Sequence, residues 1–326
     1  LEWTVLSEFS FWMTFLGSLP IGWLLGVWAE RMIAADRSLM RRPLGTVAES
    51  RRRIGVLAIV FAGLSAALHL ALRAGLQATP EVLPSETGLI ARQLFHQALI
   101  GLILVATVVD WDGTIIPDQI TFPGMLLGLA AATLLGELQL IHLWVDWNQA
   151  IPGLRGPYFP EWFDRQRQLH GLAWSGTGLV VGAGLTWLIR AVSSRVLGRE
   201  TLGFGDVTFM GMIGSFLGWQ PTVCAFVIAP LIGLFVGIPL RVLTNKPYIP
   251  YGPFLGAGAV LVLFGWGPLW ERTRTVFGDA YGLLILGGIA SVGFVLLLGL
   301  LIAYRSIPGK VERSPKPAVG DGGTSS

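Results

Sequence analysis

Runs of about 20 apolar residues recur along this 326-residue chain, and that spacing limits its fold more than any single motif does. A helix needs about that length to cross the hydrocarbon core of a bilayer. The stretches Phe9–Ala29, Ile54–Leu76, Leu89–Val109, Ile120–Leu140, Leu172–Val192, Thr222–Leu243, Phe254–Leu269 and Tyr281–Tyr304 meet the requirement. A shorter one, Val207–Trp219, is either extended by its neighbours or held partly inside the bundle. Charged residues make up 13% of the chain, about half the share of a soluble domain. The expected fold is therefore all-α, a polytopic transmembrane helix bundle of about eight or nine helices. Cys224 is the single cysteine, which excludes an intrachain disulfide and a thiolate zinc cluster. The four histidines, His69, His96, His142 and His170, have no metal-ligand spacing, so no metal site is expected. A formal charge of +3 does not point to nucleic acid.

Basic residues set the expected orientation. Arg31, Arg37, Arg41, Arg42, Arg51, Arg52 and Arg53 lie between the first two spans, and such loops stay cytoplasmic. The first span follows Glu2 and Glu8, not a basic segment, and reads as a retained helix with the N-terminus outside. Counting forward, Asp110 and Asp206 reach the cytoplasmic side. The aromatic-rich segment 143–170, with Trp144, Trp147, Tyr158, Phe159, Trp162, Phe163 and Trp174 in and beside it, falls outside and reads as an interfacial belt. Three regions are expected: 1–88, two helices with a short basic loop; 89–304, the main membrane domain; and 305–326, a disordered tail rich in Pro, Gly and Ser.

Two carboxylates then draw attention. Asp110 ends an apolar run and is followed by Asp112, Pro117 and Asp118. Asp206 closes Gly203-Phe204-Gly205-Asp206 and opens an apolar segment. A carboxylate at the rim of a membrane span is a functional candidate, because its charge is costly there. Asp206 at a helix N-terminus is favoured as an anion by the free N–H groups and the helix dipole. Asp110 at a helix C-terminus is disfavoured as an anion. Two such groups sharing a proton could act as acid and base on one water molecule. The same pair could instead bind a proton or cation in a transporter built on broken helices.

The wider context of these residues resembles one family. Asp110 with Ile116-Pro117-Asp118, Thr121 and Pro123 is similar to the D-x-x-x-x-x-I-P-[DN]-x-x-T-x-P stretch of the type IV prepilin leader peptidases. Glu200-Thr201-Leu202-Gly203-Phe204-Gly205-Asp206 resembles their E-x-x-G-x-G-D motif. Ile249-Pro250-Tyr251-Gly252-Pro253-Phe254-Leu255 resembles their I-P-[FY]-G-P-F-L turn. Order and spacing agree over about Ala91 to Trp266.

The resemblance implies a membrane aspartic endopeptidase with Asp110 and Asp206 catalytic and Gly203, Gly205, Pro117, Asp118 and Glu200 in supporting places. It implies prepilin or pseudopilin substrates of type IV pilus or type II secretion systems. Their short basic leader is removed at the cytoplasmic face of the inner membrane, and Asp112, Asp118 and Glu200 are candidates to meet that leader. Many members then N-methylate the product using S-adenosylmethionine. Proteolysis itself needs no cofactor. Paired cysteines that bind zinc in many bacterial members are missing from the loop Glu30–Arg53, so zinc is not expected. A non-catalytic relative that scaffolds pilus or secretion assembly is the remaining alternative.

Overall fold

A computed structural model describes residues 2–39, 43, 45–77, 79, 82, 85–113, 115–144, 165–237, 239–240, 243 and 249–306. Ten α-helices lie among them. They are α1 (Glu2–Leu39), α2 (Val47–Arg73), α3 (Glu86–Gly113), α4 (Asp118–Leu135), α5 (Arg167–Leu197), α6 (Phe204–Leu217), α7 (Trp219–Ile232, continued by a π turn to Gly237), α8 (Gly252–Phe264), α9 (Trp266–Phe277) and α10 (Ala280–Ser306). Six are long and apolar enough to cross a membrane, or seven spans if the bent pair α8–α9 counts as one. The protein is a polytopic helical membrane protein, as its hydropathy predicts. The aromatic residues Trp147, Tyr158, Phe159, Trp162 and Phe163 and the tail beyond Ser306 lie outside the described residues.

Large apolar side chains stay exposed around the bundle, among them Trp12, Leu16, Trp23, Leu126, Leu134, Val180, Trp187, Leu284 and Ile289. In lipid such a surface carries no hydrophobic penalty, so helix association there rests on close packing and on satisfied polar groups. The packing is tightest where glycines face each other. A Cβ on Gly178 of α5 or on Gly214 of α6 would run into the other helix's backbone carbonyl. Gly182 of α5 meets the Met210 carbonyl of α6 in the same way. This backbone approach lets α6, only 14 residues long, lie inside the bundle from its first turn onward, with Asp206 to Leu217 all buried. The helix then stops at Gly218, whose φ of 78° and contact with the Trp174 indole exclude any other residue.

One of the expected spans is bent. Phe254–Leu269 is not one straight helix: α8 and α9 meet at 93° across Gly265. α9 buries Trp266, Trp270 and Phe277 and exposes Glu271 and Arg272. That two-faced pattern suits a helix lying along a membrane surface.

The end of the bundle holding α9 is closed by the irregular segment 137–143. Arg92, buried in α3, donates to the carbonyls of Glu137 (3.3 Å) and Gln139 (2.7 Å). Trp266 Nε1 donates to the Leu140 carbonyl at 3.2 Å, and Gln220 Nε2 to the His142 carbonyl at 3.0 Å. These donors satisfy backbone that has no ladder of its own. His96 is fully buried one turn along α3 from Arg92. It lies 14 residues before Asp110, about 21 Å along a helix, so it is an interior polar residue and not a direct proton partner of that carboxylate.

Candidate active site

The opposite end carries the carboxylates. Asp110 sits in the last turn of α3, which runs three residues further to Gly113. Asp206 sits in the first turn of α6, where the Gly203 N–H donates to its Oδ2 at 3.1 Å. That bond reproduces half of a capping box and stabilises the anion. Asp110 has no donor as well placed: the Gly252 backbone N–H lies near its carboxylate, but Oδ2 is buried without a hydrogen bond of good geometry to any described residue. Both side chains are nearly enclosed, 4% and 9% exposed respectively. They line one cavity of about 340 Å³ with Ile115, Ile116, Pro117, Asp118, Gly203, Phe204, Gly205 and Tyr251, and Asp110 feels the charge of Asp206.

The chain reaches this arrangement through two close approaches. Pro117 caps α4 in an extended conformation, so residues 115–117 cross in front of α6 before α4 begins. Gly205 makes that crossing possible: a Cβ there would lie 3.1 Å from both Ile116 Cβ and the Ile116 carbonyl oxygen. Gly203 meets no such restriction, its nearest neighbour being the Asp206 carboxylate at 3.6 Å. Gly252, at the start of α8, makes the second approach. A Cβ on it would come within 2.5 Å of Asp110 Oδ2 and 2.8 Å of Ile116 Cδ1.

The surrounding acids occupy different places. Asp118 lines the cavity. Asp112 faces away toward α1, where Arg37 grips it with two hydrogen bonds, one of them Nε to Oδ2 at 2.9 Å. Glu200 is exposed and pairs with Arg190 at 2.6 Å, while the same arginine donates to the Leu202 carbonyl at 3.0 Å and so braces the turn ahead of Gly203. Tyr251 and Gly252 are site residues that the motif contained but that residue chemistry alone did not single out. The Gly-Pro step opening α8 was the available signal, since it marks a backbone entering a helix at close quarters.

Two carboxylates at the wall of one small cavity, one of them bonded by the Gly203 N–H at a helix N-terminus and the other at a helix C-terminus, can divide the roles of base and acid toward a bound water.

A sequence model of the type IV leader peptidase family matches residues 162–238, which include the glycine-flanked Asp206. A prepilin leader peptidase/N-methyltransferase of Aeromonas hydrophila is 31% identical over 173 residues, covering 51% of this chain and 48% of that protein. Proteins of the same name from Pseudomonas putida and Pseudomonas aeruginosa are 26% and 25% identical over 167 and 178 residues, covering 50% and 54% of this chain and 47% and 50% of theirs. The chain thus spans about half the length of the curated relatives it matches. No solved structure matches it.

Proposed function

We propose that this chain, a member of the type IV leader peptidase family, is a membrane aspartic endopeptidase that removes the short basic leader of prepilins or pseudopilins. The observation that carries the reading is the convergence of Asp110 and Asp206 on one cavity. Asp206 is the base. It takes a proton from a water molecule, whose oxygen bonds to the scissile carbonyl carbon. Asp110 is the acid. It gives its proton to the carbonyl oxygen, and a neutral tetrahedral diol forms. On collapse, the leaving nitrogen takes the proton now on Asp206, the C–N bond breaks, and one hydroxyl proton of the diol returns to Asp110. The pair shares its protons as a unit, so activity falls when both groups are ionised and when both are protonated.

The mouth of the cavity supports the substrate class. Asp118 is an acidic wall for a basic leader, and Phe204 and Ile115, 54% and 52% exposed, offer apolar contact to the hydrophobic helix that follows it. The positive loop between α1 and α2 supports a cytoplasmic active site in an inner membrane, with the N-terminus of α1 outside.

The relatives are named as methyltransferases too, and S-adenosylmethionine would supply a methyl group for that second activity. A cavity of about 340 Å³ between α1 and α2 is lined by Glu30, Arg31, Arg37, Ser50 and Arg53, but Arg53 is bonded to Glu30 and Arg37 to Asp112, so these residues do not form a seat for that cofactor's carboxylate.

Co-expression with a prepilin tests the central claim. Leader removal by the wild type and its loss in both Asp110→Asn and Asp206→Asn, at equal protein levels, is the expected result. Undiminished processing in either variant removes the dyad. Intact precursor in every case, with ion flux sensitive to the same substitutions, moves the pair to a transport role.

A further inference from the structure

The turn that closes the cavity brings a third proton-bearing group to it, and we infer that the Tyr251 hydroxyl is a catalytic hydrogen-bond donor to the scissile carbonyl oxygen as that oxygen gains charge. The inference rests on the peptidase reading above.

Tyr251 lines the cavity together with both aspartates and lies within Coulombic range of Asp206. Its position is tightly set. Its carbonyl accepts from the N–H groups of Phe254 and Leu255 at 3.0 and 3.3 Å, which starts α8. Its ring leans on Phe254, with centroids 6.4 Å apart at 60°. Phe254 is itself buried, with Gly237 leaving room for its ring tip. Among the described residues the phenol oxygen has no hydrogen-bond partner, and it lines the cavity where a bound molecule would sit. A half-buried phenol with a fixed ring and an unused O–H is costly to leave without a partner. Among the described residues, the polar groups sharing its cavity wall are carboxylates and backbone, and a peptide carbonyl entering between the aspartates would supply an acceptor.

A donor fixed in advance acts on the charge of the transition state more than on the ground state. Loss of one such donor commonly lowers kcat by about a hundredfold or more. Here Asp110 supplies a full proton to the same oxygen, and the resembled turn accepts either Phe or Tyr at this place. About a tenfold loss is therefore expected.

The experiment uses the full chain in nanodiscs with a prepilin-derived peptide spanning the cleavage site. Tyr251→Phe keeps the ring and its contact with Phe254; kcat is expected to fall about tenfold with KM changed less than about twofold. A peptide analogue with a hydroxyethylene group in place of the scissile amide should lose affinity by a similar factor, and an uncleavable ground-state peptide should not. Tyr251→Gln, which restores a donor, should exceed Tyr251→Leu, which removes donor and ring together. Wild-type kcat in Tyr251→Phe overturns the inference, as does equal activity of the Gln and Leu variants. Asp110→Asn and Asp206→Asn in the same assay keep the two readings apart. If the wild type cleaves and these do not, an unaltered Tyr251→Phe defeats the hydroxyl alone. If the wild type fails to cleave, the peptidase reading fails with it.

Discussion

A methyl group on Gly252 would strike the Asp110 carboxylate and little else that matters for folding. The backbone there has no positive φ, so alanine is not strained by conformation. Its Cβ would lie 2.5 Å from Asp110 Oδ2 and 2.8 Å from Ile116 Cδ1, both at the ends of side chains that can turn aside. Restoring an ordinary contact of about 3.4 Å requires the carboxylate to move by about 1 Å. A displacement of that size at a reacting group costs about a hundredfold in rate. The stability cost should stay near about 1 kcal/mol, the low end for overpacking, because side-chain ends yield. Gly256→Ala is the matched control. One turn on in α8, its Cβ would press on Ile103 Cγ2 at 2.7 Å, away from both aspartates. Peptide cleavage in nanodiscs, with thermal unfolding measured in parallel, separates the two effects. Gly252→Ala should lose activity with its melting temperature nearly kept, and Gly256→Ala should lose stability with kcat nearly kept. Full activity in Gly252→Ala would refute the reasoning, for it would mean that the carboxylate works from a range of positions.

The two glycines before Asp206 should also behave differently. Gly203→Ala is expected within about twofold of wild-type kcat, while Gly205→Ala, facing the Ile116 backbone at 3.1 Å, should lose about tenfold in the same assay. The Arg37–Asp112 pair, with side chains 18% and 16% exposed, should be worth about 2 kcal/mol when either partner is removed. A double-mutant cycle read by denaturation should show that the second substitution adds little, and additivity would show the pair to be unimportant. Asp118→Asn should raise KM for a peptide with a dibasic leader about threefold at low salt, an effect that disappears by about 0.5 M salt. An equal rise for a neutral leader would remove Asp118 from leader recognition.

Hydropathy exposed the crossing helices, because each satisfies its own backbone and needs nothing from its neighbours. The short α6 was harder to place. Its 14 residues fall below a span's length, and the glycines facing it on α4 and α5 explain how it is enclosed. The bend within Phe254–Leu269 is invisible to an apolar count, which is blind to direction. Gly265, Gly267 and Pro268 carried the signal for the bend, and the two-faced pattern of α9 carried the signal for where it leads. The position of Asp206 in a first helical turn could be read locally, from glycines followed by an apolar run. The bond from Arg37 to Asp112 could not, because it joins residues 75 apart through packing that no local pattern records.

The carbonyl-to-glycine contact between α5 and α6 has a mechanical consequence. Two helices that touch through their main chains have no side chains between them to rearrange, so Asp206 opens a helix whose seat on α5 leaves little room for adjustment. On the proposed reading, room for a peptide would have to come from the facing wall, residues 115–118 and the Gly252 corner, which meets Asp110 through side-chain atoms.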